Sequence, residues 1–148
     1  MPLISITRLR VRSYRFLPAF LFYALRSAGQ AKSAEGNLAV KLLKDAHNTW
    51  WTSTAWDSEA SMRKFMLAQP HGAAMRKLLH WCDEAALVHW NQPDATLPNW
   101  TEAHRRMQTE GRPSKVNNPS PDHAAFRLAA PKVQPGADIT YKKPSHTA

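Results

Sequence analysis

The chain has only one cysteine, Cys82, among its 148 residues. An intrachain disulfide is therefore excluded, and so is a zinc site built from several thiolates. The seven histidines contain no pair with the HExxH or HxxxH spacing that places two ligands on one helix face. A metal centre is therefore disfavoured, and the lone thiol fits a reducing, cytoplasmic location.

Long apolar runs are also missing. The stretch from Phe16 to Leu25 has 10 residues, whereas a membrane-spanning helix requires about 20, so we predict no transmembrane segment. The stretch follows several arginines and precedes small residues, as in signal and transit peptides. Residues 3–11 (LISITRLRV) alternate like a β-strand, however, and a removable leader has no need of that pattern. We therefore expect a folded strand followed by a helix.

Acidic residues are few, with 11 Asp and Glu against 20 Lys and Arg, and the net charge is +9. The basic residues are spread along the chain, and no basic tract marks a nucleic-acid site. Nucleic-acid binding is therefore disfavoured, and a solvated basic surface is favoured. Hydrophobic residues make up 43% of the chain, which is ordinary for a protein with one packed core.

Hydrophobic periodicity predicts elements in the order β-α-β-β-α-β. The predicted strands are 3–11, 38–44, 49–56 and 85–90, and the predicted helices begin near residue 15 and at residue 57 or 58, with Pro70 starting a further helix over 71–81. This order is typical of an α+β, ferredoxin-like fold, in which an antiparallel sheet carries helices on one face.

The C-terminal third of the chain has a different composition. Seven of the eleven prolines lie at or after Pro98, and apolar periodicity is lost from Gly111 onward. We therefore predict a packed domain over residues 1–95. A polar, partly disordered extension over 96–148 follows, with a short helix near 99–109.

The sheet face without helices should also be covered. Leu9, Val11 and one of the adjacent tryptophans Trp50 and Trp51 are expected on it. An apolar surface of this size is not left to water, and a second copy of the chain would cover it. The sequence therefore predicts a homodimer whose two sheets enclose a cavity, which is a dimeric α/β barrel.

Three segments carry a family resemblance. Residues 54–75 (TAWDSEASMRKFMLAQPHGAAM) resemble the signature of the antibiotic-biosynthesis-monooxygenase superfamily of dimeric α/β barrels. With residues 5–13 and 78–90, the chain is similar to an uncharacterised branch often labelled spheroidene-monooxygenase-like, over about residues 2–92 and again over 111–126. The resemblance implies a homodimer and, in many relatives, oxidation of an apolar or aromatic substrate without flavin or metal, or degradation of bound haem.

The haem-degrading relatives use an Asn on the first strand, a Trp on the second helix and a haem-ligating His further along. In this chain those places fall on Thr7, Phe65 and Met75. None of the three matches, so haem is disfavoured and we expect no cofactor. The spheroidene-type label implies a carotenoid or another long apolar substrate.

Two histidines are candidates for catalysis. His89 lies in the apolar fourth strand, where it is either a catalytic base or a core histidine bonded to backbone. His71 follows Pro70 at a helix start, which lowers its proton affinity. It is either a group that polarises a ligand oxygen or a surface residue.

Small and aromatic residues are candidates for substrate binding. Thr7 and Ser5 lie on the strand face that we assign to the cavity, where small side chains leave volume. Because Trp50 and Trp51 are adjacent on a strand, one points to the cavity and the other to the helices. The cavity tryptophan is either an aromatic wall for a ligand or part of a dimer interface.

Charged residues have plainer interpretations. Arg112 and Lys115 either fold over the cavity mouth and bind an anionic group or belong to a disordered basic tail. Arg8, Arg10 and Arg12 either steer an anionic substrate or form a solvated strand edge, which is the favoured interpretation. Residues 83–84 are interpreted as a polar turn.

The function that the sequence favours is an oxygenase-like enzyme acting on a hydrophobic, aromatic or polyene small molecule in an apolar pocket. The alternative is a non-catalytic binding protein for an apolar ligand. Both use the same pocket and differ only in turnover.

Overall fold

The computed structural model describes residues 1–68 and 71–142, and the side chains of 71–74 and 142 lie outside this description. Within it the strands are β1 (Leu3–Val11), β2 (Asn37–Lys44), β3 (Thr49–Trp56), β4 (Cys82–Asn91), β5 (Arg112–Pro113) and β6 (Asp138–Lys142). The helices are α1 (Leu17–Ser33), α2 (Glu59–Leu67), α3 (His71–Trp81), α4 (Trp100–Glu110) and α5 (Pro121–Ala124), and a 3₁₀ turn, Tyr14–Phe16, precedes α1.

All the strands pair antiparallel in the order β5-β4-β1-β3-β2-β6. The predicted α+β, ferredoxin-like sheet with β-α-β-β-α-β order is confirmed. Local signals explain the element boundaries: Ser58 caps α2 by accepting a hydrogen bond from the Ser61 N–H at 3.2 Å. Gly36 has a φ of +85° between α1 and β2, where a side chain would collide with Ser61.

One face of the sheet, which we call the helix-side face, packs against α1, α2 and α3. Leu9 and Val11 of β1 cluster there with Phe20 of α1 and Trp81 of α3, and Leu3 clusters with Met62 of α2. The prediction that this face lacks helices is therefore wrong. Both faces of β1 carry apolar residues, so alternation could not tell which face the helices cover.

The opposite face, which we call the α4-side face, is covered by α4 of the same chain. Ile4 and Ile6 of β1 and Trp51 of β3 are fully buried there, in one cluster with Ala103 and Met107 of α4. A second copy is therefore not required to cover the sheet, and the packing argument for a homodimer loses its premise.

The C-terminal extension is part of the packing, and the core does not end near Asp94 as expected. The short helix expected near 99–109 forms as α4, while β5 pairs with β4 and β6 pairs with β2 at the two sheet edges. The segment 111–126 is held on β4 and α3, where the Ser114 N–H donates to the Ala85 carbonyl and the Asn117 N–H to the Leu79 carbonyl, both at 2.8 Å. A disordered basic tail at these residues is contradicted.

A buried charge cluster replaces the predicted polar turn at residues 83–84. Because β4 begins at Cys82, Glu84 lies within the strand, where it accepts hydrogen bonds from Arg8 at 2.7 Å, Arg10 at 2.8 Å and Ser120 at 3.0 Å. The side chains of Arg8 and Glu84 are each 4% exposed. β1 is a central strand, so the strand-edge interpretation is wrong; Arg8 is buried, whereas the Arg10 side chain remains 39% exposed.

Candidate functional site

Small polar side chains line the middle of the helix-side face. Ser5 and Thr7 of β1 pair in register with Thr54 and Thr52 of β3, and Thr7 pairs with Leu87 of β4. Ser5, Thr7, Thr52 and Leu87 keep partial exposure although they lie on interior strands. The three helices therefore leave this part of the sheet incompletely covered.

A histidine and an arginine mark one end of this face. His89 pairs with Ser5 across β4 and β1, and Arg112 of β5 pairs with Leu87, two residues before His89. His89 keeps access to solvent, yet partial burial lowers its pKa, and the positive charge of Arg112 lowers that pKa further, whereas Glu59 at the start of α2 acts in the opposite direction. The lowered pKa favours the neutral form of the exposed His89 ring, which can accept a proton.

A pocket that contains Trp50 and Tyr14 marks the other end. Trp50 pairs with Leu9 and lies 5.9 Å from the Phe20 ring. The pocket has a volume of about 400 Å³, within the range of small-molecule sites. It is lined by Tyr14, Leu17, Leu21, Lys44, Asp45, Ala46, His47, Asn48 and Trp50.

The strand register gives the separation of the two ends. His89 lies level with Ser5 and Trp50 lies level with Leu9, which is four residues along β1, or about 14 Å. They lie on opposite sides of β1, a further distance of about 10 Å. A ligand that contacts both ends would therefore have to be elongated.

The other predicted site residues lie apart from this strip. Trp51 is fully buried on the α4-side face and donates to Asp45 Oδ2 at 3.0 Å, so it packs the core. Trp50 and Trp51 do point to opposite faces, as predicted. Lys115 is exposed, beyond the point where Ser114 bonds to Ala85, and the side chain of His71 lies outside the described residues.

The residues at the haem-contact places are also separated from one another. Thr7 lies on the polar strip, Phe65 stacks on Trp56 with ring centroids 5.2 Å apart, and Met75 is 39% exposed on α3. None of the three is a histidine or a hydrogen-bond donor of the asparagine type. These residues therefore do not fit the haem-degrading pattern.

Metal and thiol chemistry find no support in the described part of the chain. No group of three or more His, Cys, Asp or Glu side chains there is placed to hold a metal ion. Burial raises the pKa of Cys82 to about 12, so its thiol stays protonated and inert. The same residues contain no helix with the length and apolarity to cross a membrane.

Sequence reasoning missed most of the pocket lining. Residues 45–48 connect the predicted strands 38–44 and 49–56, but their approach to α1 depends on tertiary packing. The sequence did contain one local signal, the adjacent residues His47 and Asn48. In the structure they have φ values of 59° and 56°, a left-handed conformation that His and Asn adopt more readily than most residues.

Solved structures with this fold come from several organisms. A Nitrosomonas europaea protein assigned to the antibiotic biosynthesis monooxygenases is 14% identical, with a TM-score of 0.56 over 62% of this chain and 90% of its own. SnoaB from Streptomyces nogalater, a cofactor-independent oxygenase solved as a point mutant, is 17% identical, with a TM-score of 0.51 over 66% of this chain and 98% of its own. Rv0793 from Mycobacterium tuberculosis is 13% identical, with a TM-score of 0.56 over 65% and 99%.

These similarities establish the fold. They confirm the predicted resemblance to the antibiotic-biosynthesis-monooxygenase-like ferredoxin-fold proteins at that level. No curated protein is significantly similar to the chain in sequence. The profile of one family, described as a domain of unknown function, DUF3291, matches residues 22–139. Since this match spans well over half of the 148 residues, the chain belongs to the DUF3291 family.

Proposed function

We propose that this protein is an oxygenase-like enzyme that acts on an elongated, hydrophobic small molecule with aromatic rings or a polyene chain. The observation that carries the proposal is the partly exposed polar strip on the helix-side face, with His89 at one end and the pocket that contains Trp50 and Tyr14 at the other. SnoaB, which has the same fold, is a cofactor-independent oxygenase. We extend that property to this chain as part of the proposal.

Each residue has a role that follows from its place. His89 accepts an acidic proton of the substrate, which makes the substrate more electron-rich and more reactive toward O₂. Arg112 stabilises the negative charge that this creates. Thr7 and Ser5 leave room above the sheet and offer hydrogen bonds, while Trp50 supplies a flat apolar wall. His71, at the start of α3, is proposed as a second polar contact.

The substrate supplies the electrons in this scheme. A phenol is oxidised by O₂ to a quinone: one oxygen atom becomes the new carbonyl oxygen, the other leaves as water, and the phenol supplies all four electrons, so neither flavin nor haem is required. A polyene has no acidic proton for His89 to accept, so it would take up both oxygen atoms of O₂ at a double bond without that proton transfer. The α4-side face of the sheet is already covered by α4 of the same chain. A homodimer, which the family resemblance implies, would therefore have to form on a surface other than the one that α4 covers, and the single thiol remains consistent with a cytoplasmic location.

Oxygen uptake tests the proposal directly. The protein is mixed with polycyclic phenols and polyenes, and O₂ consumption that depends on one of them is followed with an electrode. His89→Ala and His89→Gln should each lower kcat/KM at least about tenfold, while Lys115→Gln, on the same segment as Arg112, should leave it unchanged. Stoichiometric binding of these compounds without O₂ uptake would favour the alternative, a binding protein for apolar ligands.

A further inference from the structure

The outward surface of α1 is unusually apolar. Phe22 is 55% exposed and Leu25 is 67% exposed, and Tyr14, just before the helix, is 77% exposed. Pro18 and Gly29 are also exposed and fall on the same face at helical spacing. We call these five residues the α1 stripe. The solvent-facing side of a surface helix normally carries charged and polar residues instead.

Basic residues flank the stripe. Arg15, Arg26 and Lys32 are exposed at its edges, and the Arg26 guanidinium lies 5.5 Å from the centre of the Phe22 ring. The first 34 residues of the chain contain no Asp or Glu. The stripe therefore combines apolar side chains at its centre with positive charge at its edges, and α1 itself contributes no acidic residue.

Cations of neighbouring elements extend this surface. Lys77 of α3 donates to the Tyr23 hydroxyl of α1 at 2.8 Å, and Arg76 beside it is exposed. Lys32 lies 4.9 Å from the ring of Tyr141 on β6, which is 38% exposed. The exposed glutamates of the outer helix layer, Glu35 and Glu59, are paired with Lys64 and Arg63, so the positive charge of Arg15, Arg26 and Lys32 is not offset at the stripe.

We propose that the α1 stripe docks this protein on the surface of a membrane that contains anionic lipids. Phe22 and Leu25 enter the boundary between headgroups and acyl chains, and Arg15, Arg26 and Lys32 contact lipid phosphates. The helix lies in the plane of the surface, since its 17 residues are too few to span a bilayer. This docking does not depend on the proposed oxygenase activity.

A second copy of the chain is a poorer occupant for the same surface. In a two-fold contact the same patch faces itself, so Arg15, Arg26 and Lys32 of each copy would meet the same residues of the other without a compensating acid on α1. Anionic headgroups complement both the charge and the apolar centre. The charge pattern therefore selects a lipid surface over self-association.

Vesicle cosedimentation tests the proposal with the full chain. Phosphatidylcholine vesicles that contain phosphatidylserine should bind the protein at least about tenfold more tightly than pure phosphatidylcholine vesicles, with a loss of affinity as salt rises. Phe22→Ser with Leu25→Ser should lower the affinity at least about tenfold. Arg15→Gln with Arg26→Gln should lower it by a similar factor and reduce the salt dependence, which Lys32 and the cations of α3 partly retain.

Matched controls separate docking from general stickiness. Val133→Ser alters another exposed apolar residue, 48% exposed, in the connection between Leu128 and Ala137, which both pack on the α4-side face. Arg127→Gln with Lys132→Gln removes two charges from the same region. Neither should change binding. Equal binding of all variants, or no preference for anionic vesicles, would overturn the proposal, as would light scattering that shows a lipid-free oligomer dissociated by Phe22→Ser with Leu25→Ser.

Discussion

The two faces of the sheet differ in how completely they are covered. On the α4-side face, Ile4, Ile6, Trp51, Ala103 and Met107 are all 0% exposed. On the helix-side face, residues at equally central positions, such as Thr7 and Thr52, retain partial exposure. One face is therefore packed like a protein interior, whereas the centre of the other is incompletely covered by its three helices.

This difference indicates a division of roles. Close packing on the α4-side face favours stability, because each buried apolar group there contributes through both area and contacts. The incompletely covered face holds the residues with the chemistry of a site, His89 and Arg112. Substitutions on the two faces should therefore affect different measurements.

Removing the cover of the α4-side face should have the largest effect. Deletion of residues 96–148 removes α4 and both edge strands, and it exposes Ile4, Ile6 and Trp51. We expect the truncated chain to aggregate or to lose its cooperative thermal transition, because a large apolar patch and two open sheet edges meet water. Light scattering and calorimetry check this. A residue 1–95 fragment with the melting temperature of the full chain would contradict the division of roles.

The buried charge cluster on the α4-side face should have the next largest effect. Glu84→Gln leaves Arg8 without its charged partner, so we expect a loss of about 3–5 kcal/mol in the free energy of unfolding. Chemical denaturation at pH 7 measures the loss. Lys64→Gln, which removes an exposed ion pair with Glu35 whose partners are 77% and 88% exposed, should cost less than about 1 kcal/mol.

The buried pair of Arg8 and Glu84 predicts how stability changes with pH. Burial alone would raise the pKa of Glu84, but hydrogen bonds from Arg8 and Arg10 outweigh it and hold that pKa below its ordinary value. The stabilisation is therefore present above the ordinary glutamate range and is lost as the pH falls through the folded-state pKa. Burial raises the pKa of neighbouring Asp83, which acts in the opposite sense. The difference between wild type and Glu84→Gln isolates Glu84, and this difference should shrink in acid.

Enlarging a small side chain on each face compares the packing directly. Ala103→Leu inserts three carbons where no space is left, so we expect a loss of about 1–3 kcal/mol in stability. Thr7→Leu places a similar volume above the polar strip, where partial exposure indicates room, and its melting temperature should stay close to that of wild type. The proposed substrate should bind more weakly to Thr7→Leu. Equal destabilisation by both substitutions would show that the two faces are packed alike.

The sequence predicted the elements better than it predicted their neighbours. Alternation in β1 and the Ser58 cap of α2 are local signals, and both elements form where they were expected. Which element covers each sheet face depends on long-range contacts, such as the packing of Trp100 and Met107 on residues of β1. The Pro-rich composition around α4 gave no indication that this helix covers the sheet. Arg8 carries a charge that usually marks a surface, and only its pairing with Glu84, 76 residues away, explains its burial.

The candidate site shows the same limit. His89 and Arg112 were singled out as residue types, but their proximity depends on the pairing of β5 with β4, which two residues in a Pro-rich segment do not signal. Alternation correctly placed Thr7 and Ser5 on the same face of β1. The prediction that a second copy of the chain covers this face was wrong, because α1, α2 and α3 lie on it. Local patterns therefore identified side chains with suitable chemistry, and tertiary contacts decided which of them meet.

The smallest expected effect concerns the proton affinity of His89. Arg112 lowers the pKa of His89 through its charge, so Arg112→Gln should raise that pKa by a few tenths of a unit, the size expected for a partly solvated charge pair. Titration of the His89 ring by NMR measures the shift. Lys115→Gln removes the same charge three residues later, where the chain runs along β4 toward Ala85. It should leave the pKa of His89 unchanged.

Because His89 must be neutral to accept a proton, Arg112→Gln should also move the acidic limb of the pH–activity profile to higher pH by the same amount. Identical titration curves for Arg112→Gln and Lys115→Gln would mean that the charge at position 112 does not act on His89. The proposed electrostatic coupling between Arg112 and His89 on the helix-side face would then be contradicted.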